Sequence, residues 1–221
     1  LRDTLQAVRH IDELESRVRV DRGFEVQRGS MQKIFDAFLQ ETAQAHNRRE
    51  LEQAYQTASA ALDAVPLNKP EHPLRVGIIG EYYTVMDDFG NHNVERILSY
   101  MGQGVEIHRW MTFTHRNLDY DEQADLALIA PYVRYSMGPT SSATLAAALR
   151  YAEEGFDGIV HVKSFGCTPE VDVMPVLQNI SADRKIPILY LSYDSQTGDA
   201  GIQTRLEAFY DMIEMKRKTA V

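Results

Sequence analysis

Cysteine is almost missing from this chain: Cys167 is the only one in 221 residues. A single thiol excludes an intrachain disulfide framework and favours a reducing, cytoplasmic compartment. It also means that the chain cannot build a thiolate metal site from its own residues. Long apolar runs are missing too. No stretch approaches the ~18 residues of a membrane span, so the sequence reads as that of a soluble protein. Positive charge is scarce, with 23 Lys and Arg against 32 Asp and Glu and a net charge of -9. Such a chain has no electrostatic footprint for wrapping nucleic acid or an anionic membrane. Its only dense basic run, Lys216-Arg217-Lys218, falls at the end of a predicted helix, where cations suit the dipole. No Walker sequence occurs, and Gly77-Ile78-Ile79-Gly80 lacks the spacing of a dinucleotide-binding turn. The opening Leu1–Val20 is charged throughout and is neither an initiator nor a signal peptide, so the chain reads as a domain of something longer. What is present is a globular balance, 44% hydrophobic and 25% charged, able to bury a core.

Proline is absent before Pro66, and the first 64 residues hold only Gly23 and Gly29. Within Met31–Gln44, Met31, Ile34, Phe35, Phe38 and Leu39 recur at helical spacing, with Ser30 as the expected N-cap. A second helix is predicted over about Arg48–Val65, with Leu51, Tyr55, Ala58 and Leu62 on one face. Three prolines then fall between Val65 and Pro73, marking a linker. The expected organisation is a helical segment over 1–65, a linker over 66–73 and an α/β domain over 74–221. The helices are expected to pack outside the α/β core and to give no residue to its pocket.

After the linker, short apolar runs alternate with helical stretches. Strands are predicted at Leu74–Ile79, Val105–Trp110, Gly158–Val162 and Pro187–Leu191. Helices are predicted around Asn93–Met101, over Glu122–Tyr135 with an interruption at Pro131, over Ser142–Glu154 capped by Ser141 or Ser142, and over Ala200–Lys216. Strands separated by helical crossovers predict a doubly wound, flavodoxin-like parallel sheet. Ligands in such folds bind outside the carboxyl ends of the strands, where three loops converge: Gly80–Gly90, Lys163–Glu170 and Ser192–Gly201.

The second loop is the most informative. Thr168 is a good N-cap, Pro169 suits a first helical turn and Glu170 suits its positive end. Cys167 therefore precedes a helix start, with Lys163 close in sequence, and both features favour a thiolate. The competing reading is a small buried hydrophobe in a tight turn. The loop after the first strand offers Glu81, Tyr82, Tyr83, Asp87, Asp88 and His92, a composition suited either to a pocket or to turn chemistry with a cap by Asn91 or Asn93. His161 lies inside a strand pattern and reads as a core histidine. In the third loop Asp194 directly follows a strand, and Asp199 can cap the last helix.

The residues from Gly155-Phe156-Asp157-Gly158 through Phe165-Gly166-Cys167-Thr168-Pro169-Glu170, then Ile186-Pro187, Asp194, Thr197-Gly198-Asp199-Ala200-Gly201 and Thr204-Arg205-Leu206-Glu207-Ala208-Phe209, carry a resemblance. Over roughly 74–215 the chain resembles the 2-hydroxyacyl-CoA dehydratase superfamily. It is most similar there to the carboxyl-terminal domain of acyl-CoA dehydratase activase-related proteins, and the amino-terminal helices add nothing to the likeness. The resemblance implies flavodoxin-like halves that share a [4Fe-4S] cluster, single-electron transfer to a CoA thioester, and radical dehydration served by an ATP-dependent activator. It assigns Cys167 as a cluster ligand; beside it Gly166, Thr168 and Arg205 read as cofactor-binding, Arg205 as a packing or anion-binding group, and the strand-end carboxylates Glu81 and Asp194 as candidate catalytic residues of the pocket. A cubane cluster wants several thiolates, and this chain has one. The missing ligands then belong to another domain or subunit, or the chain is a non-catalytic scaffold of an activase–dehydratase system that has lost the cluster.

Overall fold

A computed structural model describes residues 2–219. Three helices come first: α1 (Arg2–Asp21), α2 (Ser30–Gln44) and α3 (Arg48–Asp63). They share a small core in which Leu14 and Val18 of α1 meet Met31, Phe35 and Phe38 of α2 and Ala54, Ala58 and Leu62 of α3. Ser30 is the first helical residue rather than the cap. The cap is Gly29, whose left-handed φ of 85° a glycine adopts without strain.

The rest is a four-stranded sheet of β1 (Leu74–Gly80), β2 (Val105–Arg109), β3 (Gly158–Ser164) and β4 (Ile188–Tyr193). All neighbours are parallel, and the order is β2-β1-β3-β4. Between β1 and β2 lie the short α4 (Tyr82–Met86) and α5 (Val94–Ser99). Between β2 and β3 lie α6 (Glu122–Ile129) and α7 (Pro139–Glu153). The β3–β4 crossover holds α8 (Thr168–Asp172) and α9 (Met174–Arg184), and α10 (Asp199–Thr219) closes the fold. Both faces are covered, so the strands read as near-continuous apolar runs.

Strand alternation sorts the two faces. Val76, Ile78, Val160 and Val162 point toward α5 and α10, where Ile202, Leu206, Phe209 and Ile213 form the buried stripe of α10. Each such fully buried side chain contributes roughly 2 kcal/mol of apolar burial. Ile79 and Ile159 point the other way, toward Leu145 and Leu149 of α7 and Leu177 and Ile180 of α9. Gly77 faces α7 as well, and a methyl group there would lie 2.2 Å from the Tyr151 ring.

The amino-terminal helix is part of this body. Its carboxyl end leads to Gly23, packed on the start of β2, while Asp12 accepts a hydrogen bond from Thr114 N at 2.6 Å beyond the exit of β2. Thus α1 runs along the edge strand and covers it. Arg19 of α1 donates to Glu95 of α5 at 2.8 Å, and both side chains are buried. Glu95 also meets Arg109 at 3.4 Å, and Glu15 accepts from both arginines, closing a ring of four charges.

Candidate functional site

The chain steps from β1 outward to β2, then crosses back to β3 and on to β4, so the order reverses between β1 and β3. The carboxyl ends of those two strands form the crevice in which ligands of open α/β sheets bind. Gly80 ends β1 with φ 130°, and a Cβ there would sit 1.9 Å from the carbonyl oxygen of Val162 on β3. Only glycine permits this close approach of the two strand ends.

Glu81 follows and binds the crevice together. Its Oε2 accepts from the backbone N–H of Ser164 at 2.7 Å and from the Thr84 hydroxyl at 2.8 Å. Burial pulls this carboxyl upward, but the Ser164 and Thr84 donors and the nearby Lys163 ammonium outweigh it and hold it below the ordinary carboxylate value. Glu81 is therefore an ionised clamp between the β1 and β3 loops.

Cys167 lies between β3 and α8 and is the residue that caps α8, one position earlier than the Thr168 cap expected from the sequence. Its N–H donates to Ser164 O at 3.2 Å and its carbonyl accepts from Val171 N at 3.0 Å. The thiol is partly exposed, and Phe165, Gly166 and Thr168 beside it are exposed. The expected lowering of its pKa does not occur. Burial pushes the thiol up, and the carboxylates of Glu81 and Glu170 push the same way against the backbone N–H of Glu170 and the Lys163 ammonium. Lys163 is buried on the α7 face and turns its ammonium back onto the carbonyls of Ser164 and Phe165, each at 3.3 Å.

Beneath this turn sits a group that residue-by-residue reading missed. Glu170, fully buried, accepts from the Thr144 hydroxyl of α7 at 3.1 Å and pairs with His161 Nε2 at 2.8 Å. His161 comes from the middle of β3, and its Nδ1 has no hydrogen-bond partner among the described residues. Its ring meets that of Tyr190 edge-on at 5.6 Å, and burial raises the Tyr190 phenol to about 12. Ser141 adds a hydrogen bond to Pro169 O at 3.1 Å. The available signal was the alternation of β3, which puts His161 and Lys163 on one face two residues apart, above the helix that carries Thr144.

The third loop behaves differently. Asp194 closes its own turn, with Oδ1 accepting from Gln196 N at 2.9 Å and from the Thr197 hydroxyl at 3.1 Å. Arg205, on α10, donates to the carbonyl of Tyr190 in β4. The link from this loop to the first is His92, whose Nδ1 lies 2.5 Å from Asp199 Oδ1 and whose ring stacks on Tyr193 at 5.5 Å. Asn91, wholly buried, supplies the side-chain acceptor for Val94 N at the start of α5, a choice the sequence left open between Asn91 and Asn93.

Among the described residues, no group of three or more His, Cys, Asp or Glu side chains could hold a metal ion. The carboxylate of Glu81 is taken by Ser164 and Thr84, and that of Glu170 by His161 and Thr144. Cys167 is left as the single soft donor, so these residues alone do not fit a cubane cluster, which wants about four ligands. Nor is any described helix long and apolar enough to cross a membrane.

No protein among the curated ones matches this chain. Residues 28–213 match the family model described as 2-hydroxyglutaryl-CoA dehydratase, D-component. The match begins at Arg28, so it takes in α2 and α3, and the family likeness is not confined to the α/β portion as the sequence motifs alone implied. With most of its length inside that match, on a doubly wound parallel sheet, the chain belongs to the 2-hydroxyglutaryl-CoA dehydratase D-component family.

Proposed function

We propose that this chain is part of a 2-hydroxyacyl-CoA dehydratase-type component in a reducing compartment, and that it contributes one thiol to a centre completed by other chains or domains. The observation that carries this reading is the placement of Cys167. It stands partly exposed at the switch point, on a turn held from two sides by the carboxylates of Glu81 and Glu170. In this reading the remaining thiolates, the acyl-CoA and an ATP-dependent activator meet the carboxyl-end face from outside. Glu81 and Glu170 act as positioning residues, while Gly166 and Thr168 leave the approach to the sulfur open. An iron–sulfur cluster there would supply single-electron chemistry, and the residues of this chain would hold one of its corners.

A second reading, a scaffold domain without a cluster, is favoured by one observation: the thiol is pushed up rather than down. One experiment separates the two. The purified chain is incubated anaerobically with ferrous iron, sulfide and excess small thiol, which supplies the missing corners, beside its Cys167→Ser variant. The dehydratase reading expects a visible chromophore that stays with the wild-type chain through gel filtration and is lost in the variant. No chromophore, or one that persists without Cys167, refutes it and leaves the scaffold.

A further inference from the structure

The two edges of the sheet are finished differently. The β2 edge lies under α1, whereas β4 is paired on one side only, with β3. Pro187 and Tyr193 accept from Ile159 N at 2.9 Å and from Phe165 N at 2.8 Å, and the backbones of Leu189 and Leu191 between them turn the same way. Ile188, Tyr190 and Ser192 therefore turn their N–H and C=O groups away from the sheet. Among the described residues one side chain reaches these groups: Arg205 of α10 donates to Tyr190 O. The strand Ile188-Leu189-Tyr190-Leu191-Ser192-Tyr193 carries neither charge nor proline, which ordinarily blunt such an edge.

Beside this edge runs an exposed apolar stripe of α10. Arg205 reaches Tyr190 O and Lys216 reaches Lys185 O, so the helix face between them looks toward the β4 side. Ala208, Met212 and Met215 follow one another along that face at helical spacing. Met212 is 45% exposed and Met215 65%. Charge is divided along the strand as well. Lys185 and Lys216 stand at its amino end with no carboxylate partner among the described residues. Asp194 stands at its carboxyl end, accepting only from its own turn and facing no cation there.

We infer that β4 pairs with β4 of a second copy of the chain, antiparallel and in the plane of the sheet. A two-fold axis through Tyr190, perpendicular to the sheet, sets Ile188 opposite Ser192 of the second copy. The outward groups of the three residues then exchange about six hydrogen bonds, once Arg205 releases Tyr190 O. The same axis lays α10 beside α10 and covers Met212 and Met215. It also brings Lys185 of each copy next to Asp194 of the other, so charge sign matches at both ends. The contact is isologous and closes at two copies. The second sheet extends sideways from β4, which leaves both carboxyl-end faces and the approach to Cys167 open. This inference stands apart from the role of Cys167.

Sedimentation velocity and amide exchange on the whole chain, in reducing buffer, test it. The wild type should reach twice the monomer mass as concentration rises and grow no further. Met212→Glu sets like charges across the axis and touches no core. Ser192→Pro removes an outward N–H at a position where an edge strand tolerates proline. Each variant, with the circular dichroism of the wild type, should weaken the dimer by at least about tenfold. Amide exchange identifies the surface. The N–H groups of Tyr190 and Ser192 should exchange fast in dilute protein and at least about tenfold more slowly in the dimer, while those of Leu189 and Leu191 stay slow throughout. A chain that is monomeric at every concentration overturns the inference, as does assembly beyond two copies. So does a dimer that either folded variant forms as readily, or one that leaves exchange at Tyr190 and Ser192 unchanged and so lies on another surface.

Discussion

Two buried charge clusters flank the sheet, and they differ in what they can do. Beside β2, Arg19 and Arg109 share Glu15 and Glu95, and the buried Arg22 guanidinium lies close to Glu95 as well. Guanidinium does not give up its proton in proteins, and the cluster is a permanent tie between α1 and the sheet. Beneath β3, one carboxylate, Glu170, is shared between an imidazole and a hydroxyl, and Nδ1 of the imidazole has no partner among the described residues. That cluster supports the Cys167 turn, and its Glu170 carboxylate pushes the thiol up. A network of guanidinium groups and carboxylates across α1, α5 and β2 serves attachment, whereas a carboxylate beside a thiol acts on the thiol's own equilibrium.

Breaking the first cluster should have the largest effect. Glu95→Ala leaves two buried guanidinium groups short of a partner and should cost about 3–5 kcal/mol in urea unfolding. A smaller loss would show that Glu15 alone compensates both arginines. Breaking the second should cost less. Glu170→Ala orphans the Thr144 hydroxyl and His161 Nε2, for about 1–3 kcal/mol. Glu170→Gln keeps the shape but removes a charge that pushes the thiol up, so the midpoint of Cys167 alkylation should move to lower pH. An unmoved or rising midpoint would sever the link between this cluster and the thiol.

Acid sharpens the comparison further. Glu81 and Glu95 are both held below the ordinary carboxylate value. A carboxyl depressed in the folded state adds stability that is complete above its unfolded pKa and is lost as pH falls through the folded one. Stability should therefore drop below about pH 4.3. The deficit of Glu81→Gln relative to wild type should narrow over that range, which parallel urea titrations would reveal. The smallest effect is expected at Arg205, whose only described hydrogen bond is to an exposed carbonyl of β4. Arg205→Ala should change stability by less than about 1 kcal/mol.

The sheet was legible because burial on both faces writes apolar runs into the sequence, as in Val76-Gly77-Ile78-Ile79. Strand ends were less so: β4 continues through Ser192 to Tyr193, because a polar residue on an edge strand still pairs through its backbone. The helix α1 was not singled out, since Ile11, Leu14 and Val18 are spaced among charges that look solvated, and Arg19 gives no sign in sequence that Glu95 awaits it. Helix α7 starts at Pro139, not Ser142, and buries Ser141 and Ser142 against the sheet side. At the site, position in the fold was legible and electrostatics were not. The Cys167 turn could be read from Thr168-Pro169-Glu170, but the thiol is raised chiefly by burial, with the Glu81 carboxylate adding to it from 86 positions away in sequence, and neither is written in the loop itself.

The clamp made by Glu81 also sets a clock. Ser164 lies at the last position of β3, where amides ordinarily exchange with solvent as fast as the loop frays. Its N–H is held by a carboxylate on the neighbouring strand's loop at 2.7 Å, and a Cβ at Gly80 would leave no room for that arrangement. Exchange at Ser164 then requires the ends of β1 and β3 to part together. In deuterium oxide this one amide should persist with those of the central strands, while those of Gly166 and Thr168 are already replaced.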